Sequence, residues 1–181
     1  MKAKTGIFAV ALLVLGSFLS QVSSAADTGK SNLDAFSHKK AKDQLMYLMA
    51  VSADRAQDRI KDGIVFTPYA AVFKPNGEIK YIELGEKRFD QSVAIAILHR
   101  SLRALAEAKK IATSAVYYTI EAQAEDGTSN RVLIAELEHA MGLSLINATP
   151  YKNVDGKVLF GQSVERSHEP KVMYDEPPKA E

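Results

Sequence analysis

Apolar positions recur at helical spacing from Asp34 to Gly63, and no glycine or proline interrupts the pattern before Gly63. This spacing predicts a long helix with one apolar stripe, which Gly63 is placed to end. The stripe consists of Ala41, Leu45, Leu48, Ser52, Ala56 and Ile60. Residues 44–53 are also apolar away from the stripe, and a helix of that kind must be covered on more than one side. The sequence therefore predicts either a sheet that curls around the helix or a partner that binds it.

The predicted partner surface is made of the residues that lie off the stripe in the middle of this helix. They are Met46, Tyr47, Ala50 and Val51. Tyrosine and methionine are common at interfaces because they are large and only partly polar. One hypothesis is that the protein forms a homodimer through this helix.

Two short apolar arms, residues 69–74 and 78–84, flank the sequence Pro75-Asn76-Gly77. Asparagine and glycine tolerate the positive φ angles of tight turns, so this stretch predicts a β-hairpin. Its turn and its apolar arms are what a hairpin that begins a sheet requires. We therefore interpret it as structural rather than as the wall of a ligand site.

A second helix is predicted over residues 89–112, where leucines and an isoleucine share one face and the charged residues lie elsewhere. Two strands with alternating apolar positions follow it. The first is predicted to point Val116, Tyr118, Ile120 and Ala122 inward. The second is predicted to point Leu133, Ala135 and Leu137 inward, with Glu136 and Glu138 on a solvated face.

The element order is α-β-β-α-β-β-β, with short turns between the strands, which requires an antiparallel sheet. We predict a two-layer α+β fold in which two helices cover one face of about five strands. A ligand pocket between the sheet and the second helix would be lined by Leu98, Leu102 and Tyr118. The order resembles that of profilin-like and roadblock-like domains and, less closely, sensor domains of the PAS kind.

Three local stretches carry a second resemblance. They are PYAAVFKPNGEI, the late LEH at residues 137–139, and PYKNVDGKVLFG. Together they resemble a family of small bacterial proteins of unassigned function, over residues 66–161. This resemblance implies a single α+β domain and implies no activity.

The first 25 residues have the pattern of a secretory signal peptide. Lys2 and Lys4 precede an apolar run over residues 7–19, and small residues ending at Ala25 offer a cleavage site. The run is short for a membrane span. We expect an exported bacterial protein, periplasmic or secreted, with a linker at residues 26–33, one domain at 34–166 and a flexible tail at 167–181.

Composition narrows the classes of function. The 23 basic and 22 acidic residues are well mixed, which argues against a nucleic-acid surface, and no membrane span is expected after signal cleavage. The chain has no cysteine, so disulfides, thiol nucleophiles and thiolate metal sites are excluded. The four histidines show none of the close pairings typical of zinc sites. We therefore predict no metal and no cofactor.

No serine lies in a nucleophile motif, and no glycine-rich phosphate loop occurs. The leading hypothesis is therefore a non-catalytic, exported protein-binding module that binds an unidentified protein or itself. A small-ligand sensor or carrier stays open and would need an enclosed pocket. A hydrolase with a spatially assembled site also stays open, and it would need a serine or carboxylate near His99 or His139 in a cleft.

Overall fold

The computed structural model describes residues 30–85, 89–123 and 129–173, with side chains described from residue 38 onwards. These ranges contain two helices and seven strands. The helices are α1 (Lys30–Lys61) and α2 (Gln91–Glu107). The strands are β1 (Tyr69–Phe73), β2 (Ile79–Ile82), β3 (Thr113–Gln123), β4 (Ser129–His139), β5 (Leu143–Val154), β6 (Lys157–Phe160) and β7 (Val164–Ser167).

All strands belong to one antiparallel sheet with the order β2-β1-β3-β4-β5-β6. β7 pairs with β5 along the same edge as β6, after an interruption at residues 161–163. The predicted α+β class, the antiparallel sheet and the order of its elements are confirmed. β6 and β7 extend the expected sheet beyond about five strands.

The two helices lie on opposite faces of the sheet, so the domain has three layers where the sequence suggested two. Tyr69, Ala71 and Tyr117 pack in one cluster with α1. Their neighbours along the strands, Ala70 and Val116, pack in another cluster with α2. Because successive side chains of a strand point to opposite faces, β1 and β3 carry apolar residues on both faces, and each face needs its own cover.

The predicted core set of β4 is confirmed, since Leu133, Ala135 and Leu137 are buried against the α1 side. In β3, Val116 is buried and Tyr118 is half-buried on the α2 side. Ile120, which was predicted to point into the core, is exposed. The buried part of β3 ends near Thr119, so the alternation in sequence continues beyond the point where burial stops.

Glycine ends α1 and closes the first hairpin, as predicted. Gly63 has φ 68°, and the next amide, Ile64 N–H, donates to the Arg59 carbonyl at 3.1 Å. Gly77 has φ 88° in the turn that joins β1 to β2. Both angles lie in the left-handed region, which glycine adopts without a steric penalty.

The domain boundaries differ from those expected at both ends. α1 already begins at Lys30, inside the predicted linker, while the predicted signal peptide lies outside the described residues. At the other end, residues 168–173 pack on the sheet, and Val172 is buried. This part of the predicted tail belongs to the domain, and residues 174–181 lie outside the described residues.

Within the described ranges, neither helix combines the length and the apolar character that crossing a membrane requires.

Candidate functional site

The four predicted interface residues lie on different sides of α1. Tyr47 is 56 % exposed and Val51 is 42 % exposed. Tyr47 makes an edge-to-face contact with Phe73 of β1, with ring centroids 6.2 Å apart. Ala50 instead lines a shallow pocket towards β5, and Met46 is half-buried. The two large exposed apolar side chains, Tyr47 and Val51, therefore lie on the side of α1 that faces β1 and β2, while the exposed Ala50 lies on another side.

β2 continues this exposed surface. The Tyr81 ring is 37 % exposed, and its hydroxyl donates to the Val51 carbonyl at 3.3 Å. The Arg55 guanidinium lies 4.7 Å from the centre of that ring, within the range of a cation–π contact. Arg55 and Arg59 both bind the Glu83 carboxylate. We call Tyr47, Val51 and Tyr81 the α1–β2 surface.

Beneath this surface, two tyrosines join α1 to the sheet. Tyr69 and Tyr117 stack with ring centroids 5.0 Å apart, and both are buried. The Tyr69 hydroxyl donates to the Ser52 carbonyl at 2.9 Å, and the Tyr117 hydroxyl lies 2.7 Å from Ser52 Oγ. Burial raises the pKa of both phenols, so they stay neutral. These rings are core anchors rather than the lining of an open groove.

The α2 face carries a buried polar cluster that the sequence did not predict. Its centre is Glu136 on β4, which is 2 % exposed. His99 Nε2 lies 2.7 Å from Glu136 Oε2, and the Tyr118 hydroxyl donates to Oε1 at 2.8 Å. Lys171 Nζ donates to the same oxygen at 3.3 Å. The carboxylate thus contacts α2, β3 and the segment that follows β7.

The electrostatics of this cluster favour an ionised Glu136. Burial alone would raise the pKa of this carboxyl. The hydrogen bonds from His99 and Tyr118, together with the charges of His99 and Lys171, outweigh burial and lower the pKa to about 2. For Tyr118, burial and the bond to this carboxylate raise the phenol pKa. Glu136 is therefore a buried anion with fixed donors around it.

The predicted solvated face for Glu136 and Glu138 is wrong, because both side chains are buried. α2 and residues 168–173 cover this face of β4, and Glu138 accepts main-chain N–H groups from that segment. The only sequence signal for their burial was that two carboxylates occur at alternate positions in an otherwise apolar strand. Their burial depends on a segment more than thirty residues away, which the pattern within β4 does not contain.

The predicted pocket residues lie together in the core on the α2 side. Leu98 and Leu102 are fully buried, and Tyr118 packs against the same cluster. Two surface pockets in the described part of the chain lie elsewhere. One, of about 260 Å³, is lined by residues that include Arg59, Val65 and Glu83. The other, of about 140 Å³, lies between α1 and β3–β5.

His139 lies on the opposite face of β4 from the carboxylates, as its position in the strand predicts. Its Nδ1 accepts the Met141 N–H at 3.0 Å, so the proton is on Nε2, which donates to Gln44 Oε1 at 2.7 Å. Burial lowers the pKa of this imidazole. In the described ranges, no three histidine or acidic side chains are grouped as metal ligands would be.

Comparison of the chain with protein-family models, with curated proteins and with solved structures gave no match. The resemblances described from the sequence stay predictions.

His99 meets one of the two conditions set for a hydrolase, because a carboxylate lies within hydrogen-bonding distance of its ring. The second condition was a cleft, and neither of the two pockets described above includes His99 or Glu136. The Glu136 oxygens are also already bonded to His99, Tyr118 and Lys171. Glu136 in this arrangement is a buried carboxylate whose oxygens already have hydrogen-bond partners.

Proposed function

We propose that this protein is an exported, non-catalytic protein-binding module that self-associates through the α1–β2 surface. The observation that carries the proposal is the group of exposed side chains, Tyr47, Val51 and Tyr81, beside the outer edge of β2. Large, partly polar side chains of this kind are enriched at interfaces. In the described ranges no strand pairs with that edge.

The backbone of β2 offers hydrogen-bonding groups to a second copy. Lys74 N–H donates to the Glu78 carbonyl, which sets the alternation of bonds between β1 and β2. By that alternation, the N–H and C=O groups of Ile79 and Tyr81 point away from β1. Exposed edges of this type are templates for pairing with another strand.

A two-fold axis between two antiparallel β2 strands leaves both α1 helices on the same face of the joined sheet. A register centred on Tyr81 places the two Tyr81 rings together, beside Val51 of each copy. A register centred on Lys80 would oppose like charges, which is destabilising. We favour the register centred on Tyr81 because it brings together Tyr81 and Val51 of both copies, which are exposed in the monomer.

Export is supported by the amino-terminal pattern of basic, apolar and small residues that ends at Ala25. An exported domain without cysteine depends on its hydrophobic core rather than on disulfides. The two core clusters, one on each face of the sheet, are consistent with that requirement.

Sedimentation velocity over a range of concentrations tests the proposed dimer with two matched variants. Val51→Lys places a charge on the α1–β2 surface, whereas Val93→Lys places it on α2, where Val93 is 46 % exposed. We expect the wild type and Val93→Lys to dimerise and Val51→Lys to stay monomeric. All three should melt alike at concentrations low enough that every protein is a monomer. Lysine is a good helix former, so neither change should disturb its helix.

Two outcomes contradict this proposal. One is a wild-type protein that sediments as a monomer at every concentration. The other is a Val51→Lys variant that dimerises as readily as Val93→Lys, which would place the contact on another surface.

A further inference from the structure

Residues 168–173 lie on the α2 face of the sheet without regular secondary structure, and the chain bends over residues 171–173. They follow β7, whose four residues are all exposed. The segment passes across β4 beside α2, and it ends the described part of the chain.

Side chains of the domain form hydrogen bonds with both the N–H and the C=O groups of this segment's main chain. The Glu138 carboxylate accepts three successive amides, those of Lys171 at 2.6 Å, Val172 at 2.9 Å and Met173 at 2.8 Å. The Arg103 guanidinium donates to the Lys171 carbonyl at 2.8 Å. Contacts of this type fix the path of a backbone without selecting its side chains.

Two neighbouring side chains of the segment enter complementary environments. The Lys171 ammonium donates to Glu136 Oε1 at 3.3 Å. Val172 is 2 % exposed and packs in a cluster with Leu98, Leu102 and Val116. The site therefore pairs a buried anion for a lysine with an apolar pocket for the residue after it.

The carboxylates depend on the segment, and this dependence points to a ligand. Glu138 is 2 % exposed, and a buried charge without partners is costly. Residues 171–173 supply the main-chain donors named above, so departure of the segment would leave this carboxylate needing replacement donors. The Glu138 carboxylate of the site therefore requires main-chain donors from a chain bound in the groove.

We propose that the groove between α2 and β4 is a peptide-binding site, which recognises a segment that bends at a lysine followed by a β-branched aliphatic residue. In this structure the chain's own residues 168–173 occupy the groove and compete with such a peptide. The groove lies on the opposite face of the sheet from α1, so this proposal is independent of self-association through the α1–β2 surface.

Fluorescence anisotropy tests the site with the full-length chain. The probe is a labelled synthetic peptide with the sequence of residues 166–173, RSHEPKVM. The chain is used as wild type and as the double variant Lys171→Ala/Val172→Ser, in which the internal segment is weakened. We expect the double variant to bind the probe at least about tenfold more tightly than the wild type, because its own segment competes less well.

The control peptide has glutamate in place of the lysine and serine in place of the valine. We expect it to bind the double variant at least about tenfold more weakly than the probe, because the anion and the apolar pocket then lose their partners. Adding Glu138→Gln to the double variant should weaken probe binding as well. A double variant that melts cooperatively and yet does not bind the probe would overturn the proposal.

If the double variant does not fold, hydrogen exchange on the wild-type protein tests the same proposal. An excess of unlabelled probe peptide should displace the internal segment and speed exchange of the Val172 and Met173 amides, whereas the control peptide should not. Exchange that is unchanged by the probe would mean that residues 168–173 are a fixed part of the fold.

Discussion

Tyr69 joins three parts of the α1 side of the core. Its ring stacks on Tyr117, its hydroxyl donates to the Ser52 carbonyl, and the Arg59 guanidinium lies 5.0 Å from the ring centre. The hairpin that carries it was interpreted from the sequence as structural. The complete burial of this ring agrees with that interpretation.

We predict that Tyr69→Ala lowers the free energy of unfolding by about 3–5 kcal/mol, because it leaves a cavity under α1. Tyr69→Phe keeps the ring and should lower it by only about 1 kcal/mol, through the lost hydrogen bond. Urea denaturation measures both. Tyr81→Ala is the control, since this ring is partly exposed and its loss should cost less than the loss of Tyr69. Equal losses for the two alanine variants would contradict the assignment of Tyr69 as a core anchor.

Glu136 makes stability depend on pH in the acid range. Its pKa falls from the usual 4.5 to about 2 in the folded protein. A lowered carboxyl pKa stabilises the fold fully above about pH 4.5, and this contribution is lost as the pH falls towards 2. Since one pKa unit corresponds to about 1.4 kcal/mol, the contribution is about 3 kcal/mol.

Glu136→Gln keeps the shape of the side chain and removes its charge. We predict that the difference in unfolding free energy between wild type and variant shrinks by about 3 kcal/mol between pH 6 and pH 2. Urea denaturation across that range measures the difference. Glu121→Gln is the control, because Glu121 is exposed and approaches Arg131 only to 3.8 Å, so its ion pair contributes little. A difference for Glu136→Gln that does not change with pH would contradict an ionised, buried Glu136.

At the scale of elements, the sequence was most informative where the signal is local. Three such signals each lie within a single element or turn. They are the apolar stripe of α1, the Pro75-Asn76-Gly77 turn, and the alternation of Leu133, Ala135 and Leu137 in β4. Each of these predictions is confirmed. Helical and strand periodicities arise from the geometry of a single backbone segment, and so they are visible in sequence.

Features that depend on distant segments were not predicted. β7 has four exposed residues and no apolar alternation, so only its pairing with β5 makes it a strand. The placement of α2 on the face opposite α1 follows from apolar residues on both sides of β1 and β3. Sequence alternation alone favoured one face in β3, because Tyr117 was counted with the polar set although it is buried.

The residues of the candidate sites also differ in whether the sequence predicted them, and the difference again follows from local and distant signals. Tyr47 and Val51 were predicted as interface residues, with Met46 and Ala50, because they lie off the apolar stripe of the helix, and both are exposed. The role of Glu136 and Glu138 was not predicted, because their partners His99, Tyr118 and Lys171 come from three other segments. A residue pattern within one strand cannot distinguish a carboxylate that faces water from one that faces buried donors.

The whole molecule is a three-layer domain, with one proposed binding surface on each face of the sheet. The α1–β2 surface combines exposed apolar side chains with an edge strand, and we propose it for self-association. The α2–β4 groove holds the chain's own segment, and we propose it for peptides. Both proposals describe a protein that acts by binding other chains, and neither requires a reaction.

Native mass spectrometry of the protein from its native cells, with the exported and cytoplasmic fractions kept separate, tests this account most directly. The account predicts a dimer in the exported fraction, made of chains that begin at Ala26 and carry no added mass. A monomer at every concentration, or a chain that keeps residues 1–25, would contradict it. A bound small molecule that survives gentle desolvation would also contradict it, because the protein would then be a carrier rather than a module that binds other chains.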